Sequence, residues 1–478
     1  MSKNINQILQ EKYPHLEISV LKLNEVQKDN ESKRIDSEFF KKEYFDAMET
    51  VQLNQVEYLS DNMKFNSRYS QPKYDETSKM KVINSQYIRN EYIDYENAKS
   101  GYGKIVPKES VLINATGIGT LGRVFINILD FDFSIDSHIN IIVVKNKTYL
   151  NPYFLTIFLQ SYYGQIQIIR YYSGTSGQIE IYPRDFNYFK IPILPIEFQL
   201  EIEKMVKDSY KALEESKELY KKAEEILYNE LGLESKNPLQ SLLNSKTNNS
   251  TNSPNISIRT LKESFLKTGR LDSEYYQEKY ETNEKIIMNK NYTILDSLVN
   301  ITKSIEPGSN LYKNKGVSFI RVANLTQYGL SEPDVFLDEK DFFPQYLQTL
   351  YPKKDTILFS KDGSVGIAYC VEEDKEIVTS GAILHLNIKD KENILPEYLT
   401  LFLNSIFVKL QAQRDCGGSI ISHWRIEDIK KILVVILDIK IQEKIAKYIQ
   451  ESFNLRKKSK QLLDNAKIKV EEQIQGKV

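Results

Sequence analysis

The stretch LINATGIGTLGRVFI, residues 112–126, contains Gly117-Ile118-Gly119-Thr120-Leu121-Gly122, a G-x-G-x-x-G spacing with acidic residues beyond it at Asp130, Asp132 and Asp136. Two folds compete for it. In a dinucleotide-binding fold the last glycine opens a helix whose N-terminus holds a pyrophosphate. In a strand-turn-strand the glycines serve only the turn. Gly122 leads into Arg-Val-Phe-Ile-Asn-Ile, β-branched and aromatic, which predicts a second strand. The stretch ILFSKDGSVGIAY, residues 357–369, sets Gly363 and Gly366 against Gly119 and Gly122. There Asp362 stands in place of the first glycine, and one residue is missing. Only the final G-x-x-G is shared, so the reading is a tight turn between strands.

That pairing is one part of a longer repeat, and repeats govern the fold wherever they occur. Arg34-Ile35-Asp36-Ser37-Glu38-Phe39-Phe40 returns as Arg270-Leu271-Asp272-Ser273-Glu274-Tyr275-Tyr276, a shift of 272 − 36 = 236. Gly174 in SGTSGQIEIYPRDF returns as Gly417 in CGGSIISHWRIEDI, a shift of 417 − 174 = 243. Gln199 in PIEFQLEIEK returns as Gln442 in DIKIQEKIAK, again 442 − 199 = 243. The chain consists of two homologous halves.

The bulk numbers agree with several cores: 478 residues exceed what one ordinary core holds. With 64 basic against 65 acidic residues, the net charge of −1 gives no global pull on a polyanion. A nucleic-acid surface would have to be a local patch. Cys370 and Cys416 make no disulfide framework and no zinc cluster, which fits a reducing compartment. The polar N-terminus lacks a signal-peptide core, and the apolar run Ile432–Leu437 is too short for a bilayer. A cytoplasmic protein without membrane contact is expected.

Other chemistry-like signals read as structure. Asn151-Pro152-Tyr153-Phe154 approaches the N-P-P-F tetrapeptide of adenine methyltransferases, but its counterpart is Leu395-Pro396-Glu397-Tyr398. Both precede L-T-x-F-L-x-S and read as helix starts with proline in the first turn. His15, His138, His385 and His423 are dispersed, and no G-x-x-x-x-G-K-[ST] phosphate loop occurs, so no catalytic set, metal site or nucleotide site is expected. The 31 tyrosines read mainly as sheet packing.

Each half ends in a long charged segment with apolar residues at alternating spacings of four and three, a coiled-coil seam. In the first, Ile202, Val206, Ser209, Leu213, Ser216, Tyr220, Ala223 and Leu227 lie on it. In the second, Ile445, Ile449, Ser452, Leu455, Ser459, Leu463, Ala466 and Val470 do. Serine and alanine let helices approach closely but bury little area, so each needs a partner, most naturally the other. The basic residues from Arg456 to Lys469 read as a solvated face. Gly232 stops the first helix, and Asn244–Asn255 reads as an unstructured linker. The expected organisation is an N-terminal segment and first head over 1–194, a helix over 195–232 and a linker over 233–255. A second head over 256–437 and a second helix over 438–478 complete it. The heads are α+β, mixed and mostly antiparallel, with helical stretches at 152–170 and 396–412.

Duplicated heads, each ending in a long helix, resemble the specificity subunit of a Type I restriction–modification system. The resemblance rests on the strand turns at 119–122 and 363–366, on Phe319-Ile320-Arg321-Val322-Ala323-Asn324-Leu325, and on the Ser/Cys-Gly-x-Ser loops at 173–176 and 416–419. The helix starts ending at Gln199 and Gln442 complete it. The chain departs from the pattern in a longer N-terminus, in LDIKIQEKI without the usual proline, and in Val82-Ile83-Asn84-Ser85-Gln86 where the arginine-bearing strand is expected.

The resemblance implies two target-recognition domains separated by two long antiparallel coiled-coil helices in a pseudo-twofold arrangement. Each domain would read part of a bipartite, asymmetric site on double-stranded DNA, largely in the major groove. The helices, roughly 45 Å for some thirty residues, would set the spacing. They would also dock two DNA adenine methyltransferase subunits and, through them, restriction/translocase subunits. This chain would be non-catalytic and bind no cofactor, with S-adenosylmethionine, ATP and magnesium on the partners. Polar and basic loops are the candidate contacts, since phosphates attract Arg and Lys while base edges suit Arg, Asn and Gln. In the first half these are Arg68, Tyr69, Lys73, Asn84, Gln86, Arg89, Ser173, Thr175, Ser176 and Gln178. In the second they are Lys313, Lys315, Arg321, Asn324, Gln327, Ser360, Lys361, Ser419 and His423. Two alternatives remain open: the recognition subunit of a Type II system with fused methylase and nuclease, and a coiled-coil protein-interaction scaffold.

Overall fold

The structure, a computed structural model, describes residues 5–16, 18, 20–28, 30, 33–174, 178–244, 258–417 and 422–477. It divides into two compact units, one of Met1–Glu214 with Arg456–Val478 and one of Glu215–Leu455. The long helices, Ile196–Glu230 and Ile439–Ile474, each contribute to both units. Boundaries that set heads apart from helices therefore need correction, and the reason is packing. A seam rich in serine and alanine buries too little apolar area to stand alone. Ile202, Val206, Leu463 and Val470 join Val111, Phe154 and Ile191 in one apolar cluster. In the second unit Tyr220, Leu227, Ile445 and Ile449 join Leu358, Phe402 and Val434.

In the first unit, β-branched and aromatic runs form β1 (Met63–Arg68), β2 (Lys81–Ile83), β3 (Val111–Asn114), β4 (Val124–Ile126), β5 (Phe133–Ile135) and β6 (Ile139–Val144). An antiparallel sheet runs β1-β6-β3-β4. A second sheet contains β2 and β5 in parallel, with Ile83 opposite Ile135. Three helices cover this unit: α1 (Lys42–Val51), α2 (Pro152–Gln160) and α3 (Tyr162–Tyr171).

The second unit repeats the plan with β7 (Val299–Lys303), β8 (Val317–Ile320), β9 (Ile357–Ser360), β10 (Ala368–Cys370), β11 (Ile377–Thr379) and β12 (Ile383–Ile388). Its sheet order is β7-β12-β9-β10, and β8 pairs with β11 in parallel. Its helices include α4 (Glu278–Met288), α5 (Pro396–Asn404) and α6 (Ile406–Asp415). One parallel pair per unit qualifies the mostly antiparallel expectation.

Each helical stretch expected as one piece is two. Ser161 and Ser405 adopt extended backbone (φ −70°, ψ 167° and φ −72°, ψ 166°) and restart the chain as α3 and α6. Each serine hydroxyl donates to a carbonyl of the preceding turn, at Phe158 and Phe402, both 2.6 Å. Competition of this kind is what serine offers against helix continuation.

Gln199 and Gln442 are fully buried, and their side chains explain why they recur. Gln199 accepts from the Asn151 amide (2.7 Å) and donates to the carbonyls of Tyr149 (3.1 Å) and Leu194 (2.8 Å). Gln442 accepts from the Leu395 amide (3.0 Å) and donates to Asn393 (3.1 Å) and Leu437 (2.8 Å). One side chain thus ties the start of a long helix to the start of α2 or α5, satisfying three backbone groups at the joint. Asn151, the decoy tetrapeptide's first residue, caps α2 by accepting from Tyr153 at 2.8 Å.

Along the helix pair, Ser209 donates to the Ser459 carbonyl (2.9 Å), within the first unit. Ser452 donates to the Ser216 carbonyl (2.7 Å), within the second. The long helices run antiparallel in the first unit, where Glu201 also meets Lys469. Leu213 is buried on the seam as expected of its position. Leu455, a seam position by spacing, is only half-buried; Phe453 packs instead, against Tyr369 at 6.0 Å between centroids. The linker expectation also needs correction. Pro238–Asn244 is helical, with Leu242 buried in the second unit's cluster. The rest of that stretch, 245–255, lies outside the described residues.

Candidate nucleic-acid interface

The G-x-x-G turns are turns. Gly119 and Gly363 have φ of 77° and 71°, Gly122 and Gly366 have 81° and 82°. These left-handed conformations favour glycine. In the first unit, β3 and β4 flank the turn in antiparallel register, Val111 opposite Ile126. No helix begins at Gly122, so the turn cannot hold a pyrophosphate as a dinucleotide fold would.

Several loops meet on this turn. The Gly117 amide donates to the Ile179 carbonyl at 3.0 Å, and the Ile181 amide to Ala115 at 3.0 Å. Ser173 and Glu180 exchange amide bonds at 2.8 Å, closing the neck of the loop that leaves α3. Asn114 donates to the Ser85 carbonyl at 2.7 Å, and the Asn90 side chain accepts from Val124 at 3.0 Å. Arg68, at the end of β1, pairs with Glu180 and donates to the Ile181 carbonyl. Four segments, around 68, 84–90, 115–123 and the described residues 173–174 and 178–181, therefore form one platform. The second unit rebuilds it: Gly363 donates to Ser422 (2.9 Å), Trp424 to Lys361 (2.8 Å), and Gly417 exchanges bonds with His423.

Not every candidate contact faces outward. Tyr69 is buried, donating to the Ile105 carbonyl at 3.1 Å, and leaves the contact set. Asn324 is buried too; it accepts from the Arg321 amide at 3.0 Å and braces the 3-10 turn Val322–Asn324. Ser360 has no exposed surface and spends its hydroxyl on the Ser364 carbonyl, 2.6 Å away. These polar residues sit in loop-like sequence, but their short side chains satisfy backbone groups inside the turns. Lys73, Gln86, Gln178, Lys313, Lys315 and His423 are exposed. Asn84, Arg89, Ser173, Arg321, Gln327 and Lys361 are half-buried. Thr175, Ser176 and Ser419 lie outside the described residues.

The charge on the two platforms differs. In the second unit Arg321 grips both oxygens of Asp334 at 2.6 and 2.7 Å, Lys313 pairs with Asp341 at 3.1 Å, and Lys361 pairs with Asp362. Asp362 also meets His423 Nδ1 at 2.9 Å. In the first unit Arg123 donates to the carbonyls of Gly119 (2.7 Å) and Ile88 (3.3 Å). Arg89 donates to the Ile88 carbonyl at 3.1 Å and to Gln86. Among the described residues neither guanidinium meets a carboxylate within ion-pair distance. Burial and the adjacent Arg89 charge both lower the Arg123 pKa, and the nearby Glu91 carboxylate opposes them without cancelling them. Sequence reasoning missed Arg123. A long cation directly after a turn glycine was its signal, because the counterpart after Gly366 is Ile367.

Buried titratable groups nearby show no sign of an activated nucleophile. Burial, with Asp415, Asp428 and Asp362 around it, pushes the Cys416 thiol up to about 11. His385 is buried against Thr379 Oγ1 at 2.8 Å, and burial lowers its pKa to about 4.

A duplicated platform of this kind agrees with a duplicated family match. The family model described as the Type I restriction modification DNA specificity domain matches residues 46–225 and again 289–465. The chain belongs to this family. Its role is that of a DNA sequence recognition subunit, carried in two specificity domains. Each matched span contains one platform and part of each unit's helical packing. Among solved structures, the Type I system S subunit from M. genitalium is similar, with 13% identity and a TM-score of 0.39. That match covers 88% of this chain and 95% of that one. The HsdS subunit from Thermoanaerobacter tengcongensis has 14% identity and a TM-score of 0.28, covering 89% and 97%. No curated protein matches the chain. No helix among the described residues is long and apolar enough to cross a membrane.

Proposed function

We propose that each unit reads one half of a bipartite site on duplex DNA, and that the two halves differ in sequence. The observation carrying this is the same backbone platform bearing different chemistry in its two copies. In the first, Arg89 and Arg123 make no close ion pair, although Arg68 pairs with Glu180 and Glu91 lies near Arg123; in the second, Asp334, Asp341 and Asp362 each pair closely with a cation. Guanidinium groups without a close ion pair suit phosphates and guanine edges, whereas a carboxylate beside a cation can accept from the cytosine amino group. Lys73, Gln86, Gln178, Lys315 and His423 are the exposed candidates around these groups.

The helices that both units share act as a spacer. At about 1.5 Å per residue a helix of this length spans on the order of 50 Å, more than one turn of duplex. Their outer faces dock two DNA adenine methyltransferase subunits, which in turn carry the restriction/translocase subunits. Bond making and breaking then takes place on those partners, with S-adenosylmethionine, ATP and magnesium bound there and none by this chain. The assembly works in the cytoplasm, where the DNA is.

Methylome sequencing of cells with and without this protein tests the reading. An asymmetric two-part methylated motif should vanish on deletion. Unchanged methylation, or loss of a continuous palindrome, would overturn it.

A further inference from the structure

The repeated segments Arg34–Phe40 and Arg270–Tyr276 lie outside both spans that match the specificity domain. They nonetheless build the same object twice. Arg34 binds Asp36 through Nε and Nη2, both at 2.7 Å, and Asp36 accepts from the Phe39 amide at 3.2 Å. Arg270 binds Asp272 at 2.6 and 3.0 Å, and Asp272 accepts from the Tyr275 amide at 3.1 Å. Each motif thereby sets an aromatic ring against two guanidiniums. Phe39 is in contact with Arg34 (5.1 Å) and Arg170 (4.6 Å); Tyr275 is in contact with Arg270 (4.9 Å) and Arg414 (5.5 Å). Stacking of this kind favours the charge over the ring face.

Arg170 and Arg414 occupy the last turns of α3 and α6, from which the platform loops at 173 and 416 depart. In the first unit Arg34 also donates to the carbonyls of Tyr172 (2.8 Å) and Arg170 (3.4 Å). A helix leaves its last carbonyls without partners, and a cation there is favoured by the helix dipole. Next to Tyr172 stands Ser173, whose amide pairs with Glu180. In the second unit the hold comes from Arg414, paired with Glu284 and with Asp415 (2.8 Å). Burial works against the Arg414 charge there, and the two carboxylates overcome it.

We infer that the R-x-D-S-E-aromatic-aromatic segment is a positioning strap: it fixes the end of α3 or α6 and so aims the recognition loop that leaves it. Arg34 and Arg270 touch no base in this scheme; Arg34 acts on the carbonyl beside the loop neck, and Arg270 acts through the Tyr275 ring on Arg414. This rests on the DNA-reading proposal for its consequence, but not for its mechanics.

The test uses the full chain in complex with its methyltransferase, with Arg34→Ala, Arg34→Lys and Arg270→Ala. Hydrogen exchange comes first, because it needs no DNA. In Arg34→Ala the Ser173 and Glu180 amides should exchange roughly ten-fold faster or more, while Leu112 and Ile141 in the sheet keep their protection. Unchanged exchange at the neck, or an equal rise throughout the sheet, overturns the strap. The second readout is binding to duplexes carrying the complete methylated motif or one altered half. A typical base-pair preference of roughly ten- to a hundred-fold should fall toward unity at the first unit's half-site in Arg34→Ala. Arg270→Ala should do this at the other half-site only, and Arg34→Lys should lie between. Equal weakening at both half-sites would make the segment a mere folding element and end the inference. If the wild-type complex shows no sequence preference, the DNA-reading proposal fails, and the exchange result alone decides the strap.

Discussion

The two recognition units share a backbone and differ in electrostatics. In the first, Arg89 and Arg123 lean on carbonyls of their own loops, and the nearby Glu91 carboxylate acts on Arg123 only at a distance, without a close ion pair. In the second, Arg321, Lys313 and Lys361 are each paired with an aspartate, and His423 shares Asp362 with Lys361. Inside the cores the contrast continues. His385 of the second unit lies opposite Leu358 across β9 and β12, where the first unit has Ile141 opposite Leu112. Asp136, after β5 in the first unit, donates its amide to Ile83 at 3.0 Å; Ser380 does the same to Ile320 at 2.8 Å. Duplication preserved the framework and left the side chains around it free to diverge.

The comparison breaks if the shared framework proves unequal. Gln199→Ala and Gln442→Ala should each remove three hydrogen bonds to the backbone, buried at Asn151 and Leu194 in the first unit and part-buried at Leu395 and Leu437 in the second. With each lost bond costing about 1 kcal/mol net, each variant should lose about 3 kcal/mol in its own unit. Hydrogen exchange at β3 and β9 amides would read the two losses separately. A large loss in one unit and none in the other would contradict a common framework.

The cores should respond oppositely to acid. His385 has its folded pKa lowered from 6.5 to about 4, so it is neutral in the fold and charged in the unfolded chain between those values. Its contribution is complete above pH 6.5 and is lost as pH falls through 4, about 3 kcal/mol in all at 1.36 kcal/mol per unit. Burial raises the Asp136 pKa instead, so the folded first unit holds that proton more tightly than the unfolded chain does. Its stability falls as pH rises through the carboxylate range, the opposite sign. Acid should therefore open the second unit first. Exchange at pH 4 and pH 7 checks this, and His385→Ile should remove most of the difference.

Smaller effects sharpen the contrast at the reading faces. Arg123→Ala should weaken binding to the first half-site by about 1–3 kcal/mol, whereas Ile367→Ala at the matching position should leave DNA affinity unchanged; titration with half-site duplexes distinguishes them. Arg321→Ala should affect the second half-site only, and equal loss on unrelated DNA would mark Arg321 as a phosphate contact. Smallest of all, Ser452→Ala should cost about 1 kcal/mol, the net worth of one hydrogen bond, measured by urea unfolding.

Much of this architecture was legible in the sequence because repetition is a strong signal. The G-x-x-G turns, the buried glutamines at the helix starts and the seam from Ile202 to Leu227 all recur at nearly constant offsets. Their positions obey requirements that hold for any chain: glycine for φ near 80° at Gly122 and Gly366, and a polar side chain long enough to reach three backbone groups at Gln199 and Gln442. The candidate contacts were less legible. Tyr69, Asn324 and Ser360 read as loop residues yet are buried, because the sequence does not say whether a polar group in a turn faces water or closes the turn on itself.

By itself the sequence determined the duplication, the strand-turn-strand at 112–126 and the long helices, since local periodicity and turn chemistry suffice for these. Only the tertiary structure decided that the helix seams belong to the cores of the heads, that β2–β5 and β8–β11 run parallel, and that Arg34 reaches the end of α3 while the Tyr275 ring reaches Arg414 at the end of α6. The reason is distance along the chain. Arg34 and Tyr172 are separated by 138 residues, and no local pattern records that a guanidinium will find an orphan carbonyl so far away.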